Sequence, residues 1–397
     1  MKLYDVAIIG AGPVGSQVAY RLAEIGYGVV VVERKERLGE PVCCTGIISQ
    51  ECVNSFAIDE SVVFRRVNSA KIFSPSAKLL SLWRREPQAC IVDRAAFNVA
   101  LANRAQSKGV DYVLNSRVEN IEVNKDRVRI EAASKEGGLN LFEARAVVIA
   151  AGFSAKLVEK LGLGKVGDFV MGAQAEVETT GVDEVEVYLG QEIAPGFFAW
   201  LVPTAPHKAL VGLLSRRSPG LYLKRFMSSL LAQGKIASAE VEISYGGIPL
   251  KPLARTYSER LVVVGNTAGQ VKPTTGGGIY YGLLCADMAA NTLQQALKSD
   301  TLSARNLANY EKKWKKRLGL ELKVGYWAQK FYERLSDNQV DKILGIIKSN
   351  GIDKALLKAD YVSFDWHGRV VLRLIGHLAL SKLVGVMKFP FSPGRKG

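Results

Sequence analysis

Three glycines spaced Gly10-x-Gly12-x-x-Gly15, followed 18 residues later by Glu33, carry the clearest chemical signal in this chain. Gly10 permits a tight turn. Gly12 lets the backbone come close to a pyrophosphate, and Gly15 lets a helix pack tightly on the preceding strand. The helix that follows would offer free N–H groups and the positive end of its dipole to phosphate oxygens. A carboxylate at Glu33 can accept hydrogen bonds from ribose hydroxyls. The chemistry implied is dinucleotide binding.

The surrounding pattern supplies the elements this needs. Tyr4–Ile9 is a short apolar run that reads as a buried parallel strand, Val14–Ile25 as a helix, and Gly28–Glu33 as a second strand. Together they form a βαβ unit. Residues 94–108 read as a helix opened by Asp93-Arg94, and short strands follow near Asp111–Leu114, Arg117–Val123, Arg127–Ala132 and Ala146–Ala150. A second strand–turn–helix entry lies far along the chain, at Arg260–Val264, Gly265-Asn266-Thr267-Ala268-Gly269 and the Pro273–Ile279 turn, before a helix to about Leu297. A nicotinamide dinucleotide has no use for that second entry. The ring and ribityl chain of FAD do, because they extend across the sheet. The N–H groups after Gly276-Gly277-Gly278 can stabilise negative charge on a reduced flavin.

Between these parts the pattern changes. Glu176–Glu178, Glu184–Leu189, Phe197–Val202, Ala209–Leu214 and Glu240–Tyr245 are strand-like and separated by Gly, Pro and Asp turns. The expected architecture is α/β (α+β overall). It has a Rossmann-like FAD-binding domain from 1–70, 90–165 and 250–300. An antiparallel β-sheet substrate domain from 71–89 and 166–249 is inserted into it, and 301–397 form a helical C-terminal region. Leu320, Val324, Trp327, Phe331 and Leu335 recur along one face of a helix there.

Other chemistries are poorly supported. The five cysteines, Cys43, Cys44, Cys52, Cys90 and Cys285, include no CxxC pair, and three widely spaced histidines add no zinc pattern. His207, His367 and His377 read as surface or satisfied core residues. No signal-peptide pattern and no long apolar span is present, so a cytoplasmic protein is expected. The formal net charge is +15, and residues 301–397 carry 19 Lys and Arg against 8 Asp and Glu. The basic residues lie among apolar helical stripes without a nucleic-acid motif, which argues against nucleic acid. They fit a solvated surface, an anionic membrane or a redox partner.

Several segments resemble the flavoprotein group of aromatic hydroxylases and halogenases and, within it, the geranylgeranyl reductase family. They are Gly10–Gly15, the run from Pro41 through Cys43-Cys44-Thr45-Gly46 to Ser49, Asp93-Arg94-Ala95-Ala96-Phe97, Pro195–Pro203 and Gly265–Ile279. The resemblance covers nearly the whole chain. It implies an FAD-binding domain of the aromatic-hydroxylase type, with FAD contacts at Gly10, Gly12, Gly15, Glu33, Cys44, Thr45, Ile47, Arg94, Val118, Asn266, Gly278 and Ile279. It implies a catalytic Cys44 beside the flavin ring. From the residues alone, Cys44 reads rather as a small buried hydrophobe. Phe198 and Trp200, two apart on a strand, would line the substrate tunnel or pack a core. Three departures stand out. Gly265-Asn266 replaces the usual Gly-Asp, Phe198 stands where many members carry Tyr, and Thr45-Gly46 replaces the Gly-Glu of some members.

The activity implied is saturation of C=C bonds in geranylgeranyl or polyprenyl chains of isoprenoid lipids, with an electron donor such as NAD(P)H or ferredoxin. Alternatives are a flavin-dependent monooxygenase or halogenase, to which Phe198-x-Trp200-x-Val202-Pro203 is also similar, and a membrane-docked flavin electron carrier. An insoluble lipid substrate would place the enzyme peripherally at the inner face of the membrane. The apolar, basic segment 370–391 is the expected contact, or else a helix packed on the core.

Overall fold

The computed structural model describes residues 2–40, 43–135, 137–349, 363–368 and 371. The chain opens with β1 (Leu3–Ile9), α1 (Pro13–Ala23), β2 (Val29–Val32), β3 (Ile47–Ser49), α2 (Gln50–Ser55), β4 (Val63–Val67), β5 (Ser69–Phe73), β6 (Leu79–Trp83) and β7 (Ala89–Val92). It continues through α3 (Arg94–Gln106), β8 (Asp111–Val113), β9 (Ser116–Val123), β10 (Val128–Ser134), β11 (Leu139–Ile149), α4 (Ala155–Lys160), β12 (Phe169–Glu178), β13 (Val185–Leu189), β14 (Phe198–Pro203) and β15 (Lys208–Ser215). Then follow α5 (Pro219–Ala232), β16 (Ser244–Pro249), β17 (Tyr257–Ser258), β18 (Leu261–Val263), α6 (Ile279–Lys298), α7 (Ala304–Tyr332) and α8 (Asp337–Ser349).

The first sheet runs β17-β18-β11-β1-β2-β8, with β9 and β10 attached through β11. Strands β18, β11, β1, β2 and β8 are mutually parallel. Such strands must be apolar on both faces, because helices or loops cover each side. The Val29–Val32 run satisfies this: Val29 and Val31 join the core under α1, α3 and α6, while Val30 and Val32 join a second core with Val128, Ile130 and Val158. Each such side chain, once buried, contributes about 1.5–3 kcal/mol.

The second sheet runs β16-β12-β15-β14-β13-β5-β6. It is antiparallel as expected except where β13 pairs with β5 in parallel. That junction arises because β5 and β6 come from an earlier excursion of the chain. One face lies under α5, with Ala199, Leu201, Tyr188, Leu223 and Phe226 in its core. The other carries Phe198, Trp200, Val187, Leu214 and Ile248. A small third sheet, β3-β7-β4, takes in the end of the Cys44–Ser49 segment as its edge strand β3.

Two expectations need correcting. The strand expected at Glu240–Tyr245 is Ser244–Pro249 instead. Gly246 and Gly247 are paired strand residues, and Cys43 and Phe153 pack over them. The expected face of α7 is only partly its buried one: Val324 and Leu335 are buried, but two of its members are not. Leu320 is 70% exposed and Trp327 41% exposed, whereas Leu307, Tyr310, Trp314, Leu318 and Leu322 face the core. Trp314 and Tyr310 win that face through hydrogen bonds as well as area. The indole N–H donates to Thr256 Oγ1 at 2.9 Å, and the phenol donates to the Val263 carbonyl at 2.9 Å.

Candidate functional site

The first glycine turn has the geometry its sequence demands. Gly10 has φ +108°, and a Cβ there would come within 2.5 Å of the Ala150 carbonyl oxygen. A Cβ on Gly15 would lie 2.0 Å from the Gly10 carbonyl oxygen. Around Gly12, by contrast, a Cβ would meet no atom within 4 Å, so the protein leaves that space open. Gly12 is the N-cap of α1 and supplies no side-chain cap. Helices α2, α3 and α7, in contrast, are capped by Ser49, Asp93 and Ser303. The first N–H groups of α1 are therefore left for an anion.

Glu33 closes this turn from below. Its Oε2 accepts from the Ala11 N–H at 2.7 Å and its Oε1 from Lys35 N–H at 3.0 Å. A carboxylate so held still has lone pairs to offer to hydroxyls. Val118 lies on β9 beside a register shift, where Asn120 pairs with Glu131 but Val118 with Ala132, leaving Glu119 unopposed.

Arg94 is the most telling residue. It is the first residue of α3, and its stem packs on Gly46, whose φ is +72° and whose added Cβ would lie 3.0 Å from Arg94 Cγ. Its guanidinium lies 5.2 Å from the Phe97 ring centroid. Both Nε and Nη1 are buried without a hydrogen-bond partner. Buried, unpaired charged donors are costly, so such a group is expected to have a ligand. An anionic or carbonyl-rich cofactor beside Gly46 and Arg94 would satisfy them. These observations fit FAD.

The second entry packs on the first, where a Cβ on Gly265 would lie 3.1 Å from Val14 Cγ2. Asn266 lies in the turn after β18, and its Oδ1 would be 2.4 Å from a Cβ on Gly278. Gly278 is the N-cap of α6, again with no side-chain cap, and Ile279 is the first helical residue. Thr45 follows Cys44 in the segment leading to β3, whose first residue, Ile47, pairs with Ile91.

The two cysteines separate here. Cys43 sits against the second sheet. Its Sγ lies 3.7 Å from the position of a Cβ on Gly172 and on Gly246, two residues paired across β12 and β16. Burial pushes its thiol up to about 11, partly offset by a hydrogen bond with Ser244, so it stays protonated at neutral pH. Spacing alone held no signal for this, since the glycine strip that receives Cys43 is distant in sequence. Cys52, Cys90 and Cys285 are buried, and burial raises each thiol above its ordinary value.

Phe198 and Trp200 share one face of β14, with ring centroids 6.0 Å apart, on the side of the sheet opposite α5. Trp200 Nε1 is buried and unpartnered. Their strand is fixed by α7. Gln329 Nε2 donates to the Gly196 carbonyl at 2.6 Å and Tyr332 OH to the Phe197 carbonyl at 3.0 Å. A cavity of about 360 Å³ lined by Phe73, Tyr188, Ile193 and Phe226 opens on the α5 side, away from these residues. Among the described residues no group of three or more His, Cys, Asp or Glu could hold a metal ion, and no helix is long and apolar enough to cross a membrane. The expected membrane contact at 370–391 lies outside the described residues, Val371 apart.

Comparison with known proteins agrees with this geometry. The lycopene cyclase protein family model matches residues 5–323. The digeranylgeranylglycerophospholipid reductase of Methanocaldococcus jannaschii is 30% identical over 355 residues, which cover 86% of this chain and 90% of that one. The enzyme of the same name from Methanothrix thermoacetophila is 30% identical over 370 residues, 89% of this chain and 94% of its own. A geranylgeranyl bacteriochlorophyll reductase-like protein from Thermoplasma acidophilum superposes with a TM-score of 0.83 at 25% identity, covering 95% of this chain and 96% of that one. The matches run from the first strand through the sheet that bears Phe198 and Trp200, and on this ground the chain belongs to the geranylgeranyl reductase family.

Proposed function

We propose that this chain is an FAD-dependent oxidoreductase that saturates C=C bonds in the geranylgeranyl or polyprenyl chains of isoprenoid lipids. The observation that carries the reading is the meeting of two surfaces at Cys43. The segment that leads from Cys43 and Cys44 to Ile47 and Arg94 belongs to the nucleotide groove, and Cys43 itself touches the glycine strip of an apolar sheet face bearing Phe198 and Trp200. A ring held by the first surface would face an apolar chain lying on the second.

The residues proposed to hold FAD are Gly10, Gly12 and Gly15 at the pyrophosphate, Glu33 and the Val118 backbone at the adenosine end, and Arg94, Asn266, Gly278 and Ile279 along the rest, with Cys44, Thr45 and Ile47 near the ring. When bound, reduced flavin would supply a hydride to one alkene carbon, and a proton must reach the other. The protein's part is to orient and to exclude water. Phe198 and Trp200 present apolar surface to the prenyl chain, and α7 fixes their strand. The N-terminus of α6 offers uncapped N–H groups to negative charge at the ring. The electrons come from a separate donor, NAD(P)H or a ferredoxin, since of the two GxGxxG spacings only Gly10–Gly15 joins a strand to a helix, Gly162–Gly167 lying between a helix and a strand. The lipid substrate implies work at a membrane surface. The exposed stripe Lys312, Lys316, Leu320, Lys323 and Trp327 on α7 suits an anionic bilayer.

An oxygenating or halogenating enzyme and a flavin electron carrier are less well supported, because two relatives at 30% identity, each covered over nine tenths of its length, are reductases of a prenyl lipid by name. The test is anaerobic incubation of the dithionite-reduced protein with geranylgeranyl lipids, read by mass spectrometry. A gain of two mass units per double bond is expected. Unchanged lipid, with a reduced flavin that reoxidises only with oxygen, would overturn the reading.

A further inference from the structure

The turn before α6 is held by a buried ion pair from far along the chain. Lys272 Nζ lies 2.7 Å from Asp365 Oδ1, and the two side chains are 7% and 2% exposed. The same ammonium donates to the Phe364 carbonyl at 3.2 Å. It also lies against the glycine turn, where a Cβ on Gly277 would come within 2.7 Å of Lys272 Cε and 3.3 Å of Nζ. Asp365 Oδ2 is buried and has no partner.

The rest of residues 363–368 grips the same place. Tyr281, in the first turn of α6, donates its hydroxyl to the Asp365 carbonyl at 2.7 Å. Trp366 packs on the Tyr280 and Tyr281 rings and donates its indole N–H to Glu51 of α2 at 3.3 Å. His367 Nε2 faces the Phe364 carbonyl at 2.7 Å, which can only accept, so the proton is on Nε2. Burial, then the Lys272 charge, pushes His367 down to about 4, so the ring is neutral at pH 7. Its Nδ1 therefore accepts from Thr274 Oγ1 at 2.9 Å. These six residues thus bridge the helix that follows the Cys44–Ser49 segment and the turn that ends at Gly278.

A buried ion pair is a poor way to gain stability, since desolvation consumes most of the attraction. Apolar residues would pack here at less cost. What the pair provides is a fixed place and a balanced charge at the glycine turn. We propose that residues 363–368 form a clasp, closed by Lys272 and Asp365, that holds the flavin-facing turn in position and sets the charge felt by the bound flavin. Lys272 and Asp365 are positioning residues. The inference rests on the FAD reading above.

The sign of the effect separates this from simple structural support. Removing the Asp365 charge leaves the Lys272 cation uncompensated near the ring, which favours the reduced, more negative flavin. Removing the Lys272 charge does the reverse. The experiment uses the full chain, stripped of flavin and titrated with FAD by fluorescence, then measured for the midpoint potential of the bound flavin. Asp365→Asn should raise the potential and Lys272→Met should lower it, each weakening FAD binding about tenfold or more. The double variant should recover part of the affinity, because the unpaired buried charge is gone. Thr274→Val, which keeps the shape and removes one clasp bond, provides a folded control that should weaken FAD binding severalfold without moving the potential. Shifts of the same sign in both charge variants, or unchanged affinity and potential in all of them, overturn the clasp. A wild-type chain that binds no FAD overturns the cofactor reading and the clasp with it.

Discussion

The indole of Trp200 occupies the space that a side chain at Gly212 would need. The two residues are paired across β14 and β15, and a Cβ on Gly212 would lie 2.4 Å from Trp200 Cζ2. The glycine thus fixes where the ring lies on the proposed substrate face. Gly212→Ala is expected to displace Trp200 and to lower turnover of prenyl lipids at least tenfold while leaving FAD content unchanged. Equal turnover in this variant and the wild type would remove Trp200 from the substrate surface.

The open space at Gly12 makes the opposite prediction for the cofactor. A Cβ there meets no protein atom within 4 Å, so Gly12→Val should fold normally. The branched side chain would occupy the path of the pyrophosphate, and FAD should no longer bind. Circular dichroism and flavin absorbance together check this. A folded, yellow variant would show that the nucleotide lies elsewhere.

Cys43 and Cys44 can be told apart by substitution. Cys44→Ala should retain FAD and slow substrate reduction, whereas Cys90→Ala should do neither. Cys43→Ala, by opening space over Gly172 and Gly246, should change which chain lengths are accepted more than the maximal rate. Product profiles across prenyl lipids of different length provide the measurement. Wild-type rates and profiles in both variants would leave the pair as packing residues.

How far the sequence could lead is visible in these same residues. The βαβ unit was legible because its signals are local. A glycine turn, an apolar Val29–Val32 run and a pyrrolidine at Pro13 each act within a few residues of where they stand. Cys43 was not legible, because the strip that receives it joins Gly172 and Gly246, four strands apart in sequence and side by side in the sheet. The Ser244–Pro249 strand was missed for a related reason. Glycines there are chosen for the close approach of Phe153 and Cys43, and a strand built on them loses its apolar alternation. The face of α7 was misjudged since Leu320 and Trp327 have the right spacing, while the buried stripe gains its advantage from hydrogen bonds to Thr256 and Val263 that no periodicity records.

Acid stability should report on Asp168. Burial opposes its charge, but hydrogen bonds from Arg216, Lys330 and Tyr326 prevail and hold the carboxyl at about 2, against an ordinary 3.8. Because the folded value is the lower one, the stabilisation is fully present above about pH 4 and is lost as the pH falls towards 2. Arg216 and Lys330 also reach Glu333, so the cluster ties β12 and β15 to the end of α7 that anchors Gly196 and Phe197. Discounted for solvent screening, the contribution is roughly 1–2 kcal/mol. Thermal melts from pH 6 to pH 2 should show Asp168→Asn less stable at the upper end and converging on the wild type at the lower. Parallel curves would mean that Asp168 does not titrate in this window.

The stripe on α7 gives the last prediction. Lys312, Lys316, Leu320, Lys323 and Trp327 fall at helical spacings of three and four, and all five are exposed. A large apolar side chain left in water beside three ammonium groups is a poor surface for a monomer in solution and a good one for a bilayer carrying anionic head groups. Leu320 and Trp327 can enter the interface while the lysines meet phosphates. Each basic residue near such a surface is worth about 1 kcal/mol, falling with salt. Reversing two charges with Lys316→Glu and Lys323→Glu should therefore weaken partitioning to anionic vesicles by about a hundredfold or more at low salt, and Trp327 fluorescence should shift to the blue only when anionic lipid is present. Equal partitioning to neutral and anionic vesicles would refute the electrostatic contact. If vesicle binding is unchanged in the double variant but ferredoxin-driven reduction of the flavin is lost, the stripe belongs to an acidic electron donor, and the membrane contact must come from another surface.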